Sequence, residues 1–210
     1  MIIAIDGPAG SGKGTLARKL ADALGYAHLD TGKLYRAVGM RVIAAGENPA
    51  NEEAALRAAR SLEPQMIVYK DLLGDTAAAS ASKVAAIRSV RAILLTFQRN
   101  FAKAPPNRAK GAVLDGRDIG TVVCPNADIK LFVTASAEVR AERRHKELLD
   151  RGEPSIYARV LQDMKMRDKR DESRAVAPLK PALDALVVDT SELNADAVFE
   201  TAMGIISADK

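Results

Sequence analysis

Ile3-Ala4-Ile5-Asp6-Gly7-Pro8-Ala9-Gly10-Ser11-Gly12-Lys13-Gly14-Thr15 decides the fold. The apolar run Met1–Ile5 reads as a buried parallel strand. It meets a loop with glycines at 7, 10, 12 and 14, and then a helix-period run, Leu16, Ala17, Leu20, Ala21 and Leu24. Four residues separate Gly7 from Gly12-Lys13, which is phosphate-loop spacing. A polyphosphate needs several backbone N–H groups aimed inward with no side chain blocking the approach. The helix N-terminus adds its positive end. Lys13 can reach the outer phosphates as a mobile point charge. Gly7, Pro8, Ala9, Gly10, Ser11, Gly12, Lys13, Gly14 and Thr15 are therefore the expected ATP-phosphate cradle, with Lys13 catalytic.

Gly14 follows Lys13, and the hydroxyl comes one place later, at Thr15. A Mg²⁺ ion accompanying ATP is then held mainly by phosphates and waters, without a direct protein ligand. This Gly-Lys-Gly-Thr variant resembles nucleoside monophosphate kinases.

Working outward, the 210 residues make one to one and a half typical domains. The chain is 48% apolar and 28% charged, ordinary for a soluble protein. With 4% aromatics and no Trp, stacking platforms for single-stranded nucleic acid are not expected. A net charge of +4 suits small phosphorylated anions as well as it suits nucleic acid. One cysteine, Cys124, cannot form an internal disulfide, which favours a reducing compartment. No signal segment opens the chain and no apolar run approaches a membrane span. The expectation is a cytoplasmic monomer, with no nucleic-acid or membrane partner.

After a helix over 13–24, closed by Gly25, a short strand at 26–29 delivers Asp30-Thr31-Gly32-Lys33-Leu34-Tyr35-Arg36. At a strand's carboxyl end such a loop faces the ligand crevice. Thr31 offers a hydroxyl or a helix cap, Tyr35 a ring and Arg36 a cation. His28 reads as a half-buried strand residue. Helices follow over 36–45 and 47–62, with Asn51 as an alternative start for the second. Pro64 breaks that run, a strand is expected at 65–69 and a turn at 72–75. An Ala- and Ser-rich helix over 76–91 continues to about 104, where Pro105-Pro106 stops it. The strand 111–114 ends in Asp115-Gly116-Arg117-Asp118-Ile119-Gly120-Thr121, too polar for core and too compact for a linker. There Asp115 organises the water shell of Mg²⁺, while Arg117 and Asp118 touch substrate. The plain alternative is a turn held by an Arg117–Asp118 surface pair.

A strand at 129–133 precedes a charge-laced helix over 136–149, which reads as a solvated face, the alternative being functional involvement of Arg140, Arg143 or Arg144. The break at 151–154 offers a hinge. In the helix over 156–174, Arg167, Arg170 and Arg174 share one face. They suit neutralisation of a transferring phosphoryl group. The alternative is plain helix support through Asp163–Arg167 and Arg167–Asp171. A last strand at 186–189 and a helix over 195–206 close a parallel α/β sheet covered on both faces.

Taken together, these residues resemble bacterial cytidylate kinases along essentially the whole chain. The phosphate loop carries the resemblance, with Asp30-Thr31-Gly32 and Tyr35-Arg36. So do Ala81-Ser82-Lys83-Val84-Ala85 with Arg91, Asp115 through Val123, and the run Arg167-Asp168, Arg170-Asp171 and Arg174 through Leu179. The resemblance implies transfer of the ATP γ-phosphoryl group to CMP or dCMP with Mg²⁺. It implies a P-loop kinase fold with a five-stranded parallel sheet flanked by helices. A core of 1–35, 85–145 and 169–210 would carry a monophosphate-binding insertion at 36–84 and a short lid at 146–168. By the same resemblance Thr31, Ser82, Arg117, Asp118 and Asp171 handle base and sugar, and Arg36, Arg91 and Arg117 lie near the monophosphate. Tyr35 and Arg174 complete the CMP-binding set, and Arg167 and Arg170 join Lys13 as catalytic. The alternative is a kinase of another small acceptor, such as UMP, AMP or a non-nucleotide. A GTPase is disfavoured by the lack of an Asn-Lys-x-Asp sequence, and a nucleic-acid-driven ATPase by the lack of a concentrated basic tract.

Overall fold

The structure is a computed structural model describing residues 1–62, 72 and 74–208. The strand expected at 65–69 lies outside the described residues. The chain divides into two compact units, one of residues 1–28 and 105–210 and one of residues 29–104.

In the first unit β1 (Ile2–Asp6) lies at the centre of the sheet, between β3 (Ala112–Gly116) and β4 (Ile129–Thr134), parallel to both. The full order is β2-β3-β1-β4-β5, with β2 at Ala27–Asp30 and β5 at Leu186–Asp189 parallel to β4. Registers Asp6↔Gly116 and Asp6↔Phe132 bring the carboxyl ends of β1, β3 and β4 to one edge. The phosphate loop therefore leaves the middle of the sheet where the chain switches sides, the place where open α/β sheets bind ligands. Continuous apolar strands demand cover on both faces. On one face Leu16, Ala17, Leu20 and Ala21 of α1 (Lys13–Leu24) and Val198, Ala202 and Ile206 of α8 (Ala195–Ala208) close over Ile3, Ile5, Leu131 and Val133. Gly25, in the left-handed region, ends α1 with its N–H on Ala21 O and Asp22 O.

Two further helices of this unit, α6 (Ala137–Asp150) and α7 (Tyr157–Glu172), pack on each other. Ser136 caps α6 through its hydroxyl on Val139 N–H. Beyond β3 the chain makes a single π-helical turn, Ile119–Val123, which the reading of a compact polar strand end did not specify. Its N-terminal N–H groups are taken by the Asp6 carboxylate: Ile119 N at 2.7 Å and Gly120 N at 2.8 Å.

The second unit holds α2 (Thr31–Ala44), α3 (Glu52–Arg60), α4 (Asp75–Val84) and α5 (Arg88–Lys103) around their own core of Leu34, Val38, Val42, Ala55, Val84, Val90 and Leu94. Asn51 caps α3 on Ala54 N–H. The helix expected to run unbroken from 76 to 104 is two helices. The N–H groups of Ala85, Ala86 and Ile87 bond to the carbonyls of Ala81, Lys83 and Val84, and Arg91 Nη1 donates to Ala85 O, so the helix is interrupted there. Gly39 of α2 lies against Ser80 of α4, where an added Cβ would fall 2.4 Å from the Ser80 hydroxyl. Close helix contact of this kind requires small residues on both sides.

Candidate active site

Gly7 opens the phosphate loop at φ 151°, and an added Cβ would stand 2.0 Å from the Val133 carbonyl oxygen. Only glycine passes here, because the loop turns directly on the backbone of β4. Gly12 (φ 86°) hands the chain to α1, and its carbonyl accepts from Thr15 N and Leu16 N. Lys13 is buried and donates from Nζ to Pro8 O at 3.0 Å, folding its side chain back over the loop. Ser11 is fully buried, and Thr15 is exposed.

The loop is gripped from behind. Thr190, just past β5, sets its hydroxyl 3.1 Å from both Ser11 O and Thr134 O, sharing one proton between them. Arg143 Nη1 donates to that hydroxyl at 3.0 Å and Nη2 to Thr190 O at 2.6 Å. Arg140 donates to Ala9 O at 3.1 Å. The helix read as a solvated face thus turns Arg140 inward at 5% exposure.

Beside the loop, Asp115 is buried at the end of β3. His28 Nε2 lies 2.7 Å from its Oδ1, so His28 does more than fill a half-buried strand position. Asp115 Oδ2 faces Gly14, 3.6 Å from where a Cβ there would stand. A carboxylate held on one oxygen and presented to the phosphate loop by the other suits a water ligand of a phosphate-bound cation. Among the described residues no three His, Cys, Asp or Glu side chains gather as a protein metal centre.

The second cluster is cationic around one anion. Asp171 is almost fully buried on α7 and pairs with Arg117 Nε at 3.0 Å and with Arg174 Nη2. Burial opposes its ionisation, but Arg117, Arg174 and Arg167 outweigh it and hold the carboxyl below its usual range. Arg117 therefore ion-pairs with Asp171, replacing the surface pair with Asp118 considered as the plain alternative. Asp118 is buried at the start of the π-helical turn. Arg170 is exposed on α7, with Nε on Met166 O at 3.4 Å, and Arg167 is half-buried.

In the second unit Thr31 begins α2 and is buried, as is Ser82 on α4. Asp30 occupies the cap position without a side-chain cap bond, so Thr31 is the first helical residue and not the cap. Arg91 lies over the Tyr35 ring, its Cζ 5.6 Å from the centroid, a cation–π contact that fixes the guanidinium. Arg36 Nη1 donates to Leu72 O at 3.2 Å.

Asp6 escaped the sequence reading. Burial is the largest influence on it and pushes its carboxyl up to about 6, against the pull of the Ile119 and Gly120 N–H groups. The available signal was an acid closing an otherwise apolar strand.

A family model described as cytidylate kinase matches residues 3–208. The cytidylate kinase of Paramagnetospirillum magneticum is 62% identical over 207 residues, spanning 99% of this chain and 98% of that protein. That of Rhodospirillum rubrum is 58% identical over 207 residues, spanning 99% and 97%. Among solved structures, an uncharacterized protein from Eubacterium ventriosum shares the fold with a TM-score of 0.55 at 16% identity, over 99% of this chain and 98% of that one.

Proposed function

The chain belongs to the cytidylate kinase family and is a phosphotransferase acting on CMP and dCMP at the expense of ATP, and from that premise we propose how its residues divide the work. One observation carries the reading: the phosphate loop stands complete at the carboxyl end of the central strand, in a chain matched along its length by one family.

Lys13 and the amides of Gly7 through Thr15 hold the ATP phosphates. Lys13 exchanges Pro8 O for phosphate oxygens when nucleotide arrives. Mg²⁺ bound with ATP would supply charge neutralisation on those oxygens, and Asp115, steadied by His28, would hold it through water. Arg36, Arg91 and Arg117 fix the acceptor phosphate for in-line attack, with the Tyr35 ring as the surface on which Arg91 rests. Thr31, Ser82, Asp118, Asp171 and Arg174 read base and sugar. A cytosine edge presents both donor and acceptor, so a mixed set of hydroxyl, Arg and Asp leaves one partner unsatisfied when the base is wrong. Arg167 and Arg170 neutralise the transferring group. The acceptor is already an anion, so no general base is needed. Residues 36–84 serve as the monophosphate-binding insertion and 146–168 as the lid, whose closure keeps water from the γ-phosphoryl group.

The protein acts as a cytoplasmic monomer. Among the described residues no helix is long and apolar enough to cross a membrane.

The assignment of Arg117 is tested by Arg117→Ala. Loss of a charge-assisted contact raises KM for CMP by about 10- to 100-fold, while KM for MgATP moves by less than about twofold. An equal rise in both constants, or none in either, contradicts it.

A further inference from the structure

Arg140 stands in a run of seven charged side chains between Glu138 and Glu147, yet it is buried. A buried guanidinium has to place its five N–H donors. Nε donates to Ala135 O at 2.9 Å, just past β4. Nη1 donates to Ala9 O at 3.1 Å, inside the phosphate loop. Nη1 and Nη2 together form a fork onto Asp168 of α7, at 3.1 and 2.7 Å. Three separate pieces of chain thus meet on one rigid plane: sheet edge, phosphate loop and the helix that carries Arg167, Arg170 and Asp171.

Two consequences follow from geometry. In a trans peptide the C=O and the next N–H point in opposite directions. Holding Ala9 O from behind therefore turns the Gly10 N–H to the other side of the loop. Thr190 does the same for Ser11 O and the Gly12 N–H. The helices also back directly onto the loop: a Cβ at Gly10 would meet Met164 Cε at 2.8 Å and Arg140 Cβ at 3.2 Å. The second consequence is electrostatic. Asp168 lies between Arg167 and Lys169-Arg170 in sequence, and its carboxylate would oppose an incoming polyphosphate. The fork from Arg140 neutralises it and leaves the neighbouring cations to the phosphates.

We infer that Arg140 is a positioning residue for phosphoryl transfer, a bridge that sets the phosphate loop and the arginine-bearing helix α7 in register. The inference rests on the proposed role of Arg167. Arg140 touches neither nucleotide directly. It acts through the Gly10 N–H and through Arg167.

The test uses the full chain with MgATP and CMP, measuring kcat, both KM values and the melting temperature for Arg140→Met, Arg140→Lys, Asp168→Asn, Arg167→Ala and the Arg140→Met/Asp168→Asn double variant. A misplacement of the reacting groups by about 1 Å costs on the order of 100-fold in rate. Arg140→Met is therefore expected to lose about that much in kcat, with KM for CMP within about threefold of the starting value. Asp168→Asn, isosteric and less buried, loses kcat in the same direction and reads the bridge even where Arg140→Met fails to fold. Lysine at 140 recovers only part, since it cannot form the fork. The double variant loses no more than Arg140→Met alone, because both substitutions break one bridge. A folded Asp168→Asn or Arg140→Met with kcat within about threefold of the parent overturns the inference, and so do losses that multiply in the double variant. Arg167→Ala separates the two readings. If it lowers kcat while Asp168→Asn does not, the bridge alone fails. If Arg167→Ala leaves kcat unchanged, the clamp reading fails and this inference falls with it.

Discussion

Lys13 is the residue proposed to hold the outer ATP phosphates, and its donation to Pro8 O folds its side chain over the loop. Lys13→Ala is expected to lower kcat by about 1,000-fold or more with the fold intact. Steady-state kinetics beside a thermal melt checks this, and near-normal turnover in a folded variant contradicts it. Asp6 carries a different signature. Its folded carboxyl titrates at about 6, raised from 3.8 by burial. The folded state therefore binds this proton more tightly than the unfolded chain, and the stability it contributes is present below about pH 4 and lost as pH rises through 6. The shift of roughly two units corresponds to about 3 kcal/mol. Asp6→Asn removes that slope, so the unfolding free energy of the variant should gain on the parent by about 2 kcal/mol between pH 4 and pH 7. Denaturant titration at both pH values measures it, and parallel pH profiles would contradict it. Turnover should fall in the same variant, because an amide offers one acceptor to the two N–H groups of Ile119 and Gly120. The phosphate loop was legible because strand, glycine spacing, Lys13 and the helix-period run agree within one stretch. Pairings such as His28–Asp115, Arg140–Asp168 and Asp6–Gly120 were not, because each joins residues 28 to 114 positions apart in sequence, brought together by strand order and helix packing.

Among the elements, the contact between α2 and α4 is the one most exposed to a single change. Gly39→Ala drives a methyl group into Ser80, with the hydroxyl 2.4 Å and the backbone carbon 2.9 Å from the new Cβ. Overpacking of this kind costs about 1–3 kcal/mol, read as a lower denaturation midpoint with an unchanged slope. An unchanged midpoint would mean the helices can part freely. The Ala- and Ser-rich composition read for this stretch is what the close contact with α2 uses. The break between α4 and α5 was not legible, because Ala85-Ala86-Ile87 contains no Gly or Pro, and what turns the chain is Arg91 reaching back to Ala85 O. The π-helical turn after β3 was hidden for a like reason: its first N–H groups are held by Asp6, 113 and 114 residues away. Helix ends were readable where a local residue marks them, as Gly25 does and as Asn51, the alternative start, does.

At the largest scale the chain divides into two compact units, residues 1–28 with 105–210 and residues 29–104, each with its own apolar core. The parallel sheet was legible because apolar strands alternate with amphipathic helices. The organisation of residues 29–104 around a separate core was less so, since Ala-rich helices announce small side chains and not which helix they face. Acceptor choice is the property on which the proposed function rests. The most direct test is ADP release with MgATP and a panel of CMP, dCMP, UMP, AMP, GMP and shikimate at equal concentration. Strong turnover with CMP and dCMP, and kcat/KM lower by at least about 100-fold for the others, is the predicted result. Comparable turnover with UMP or AMP, or none with any cytidine monophosphate, would contradict the account.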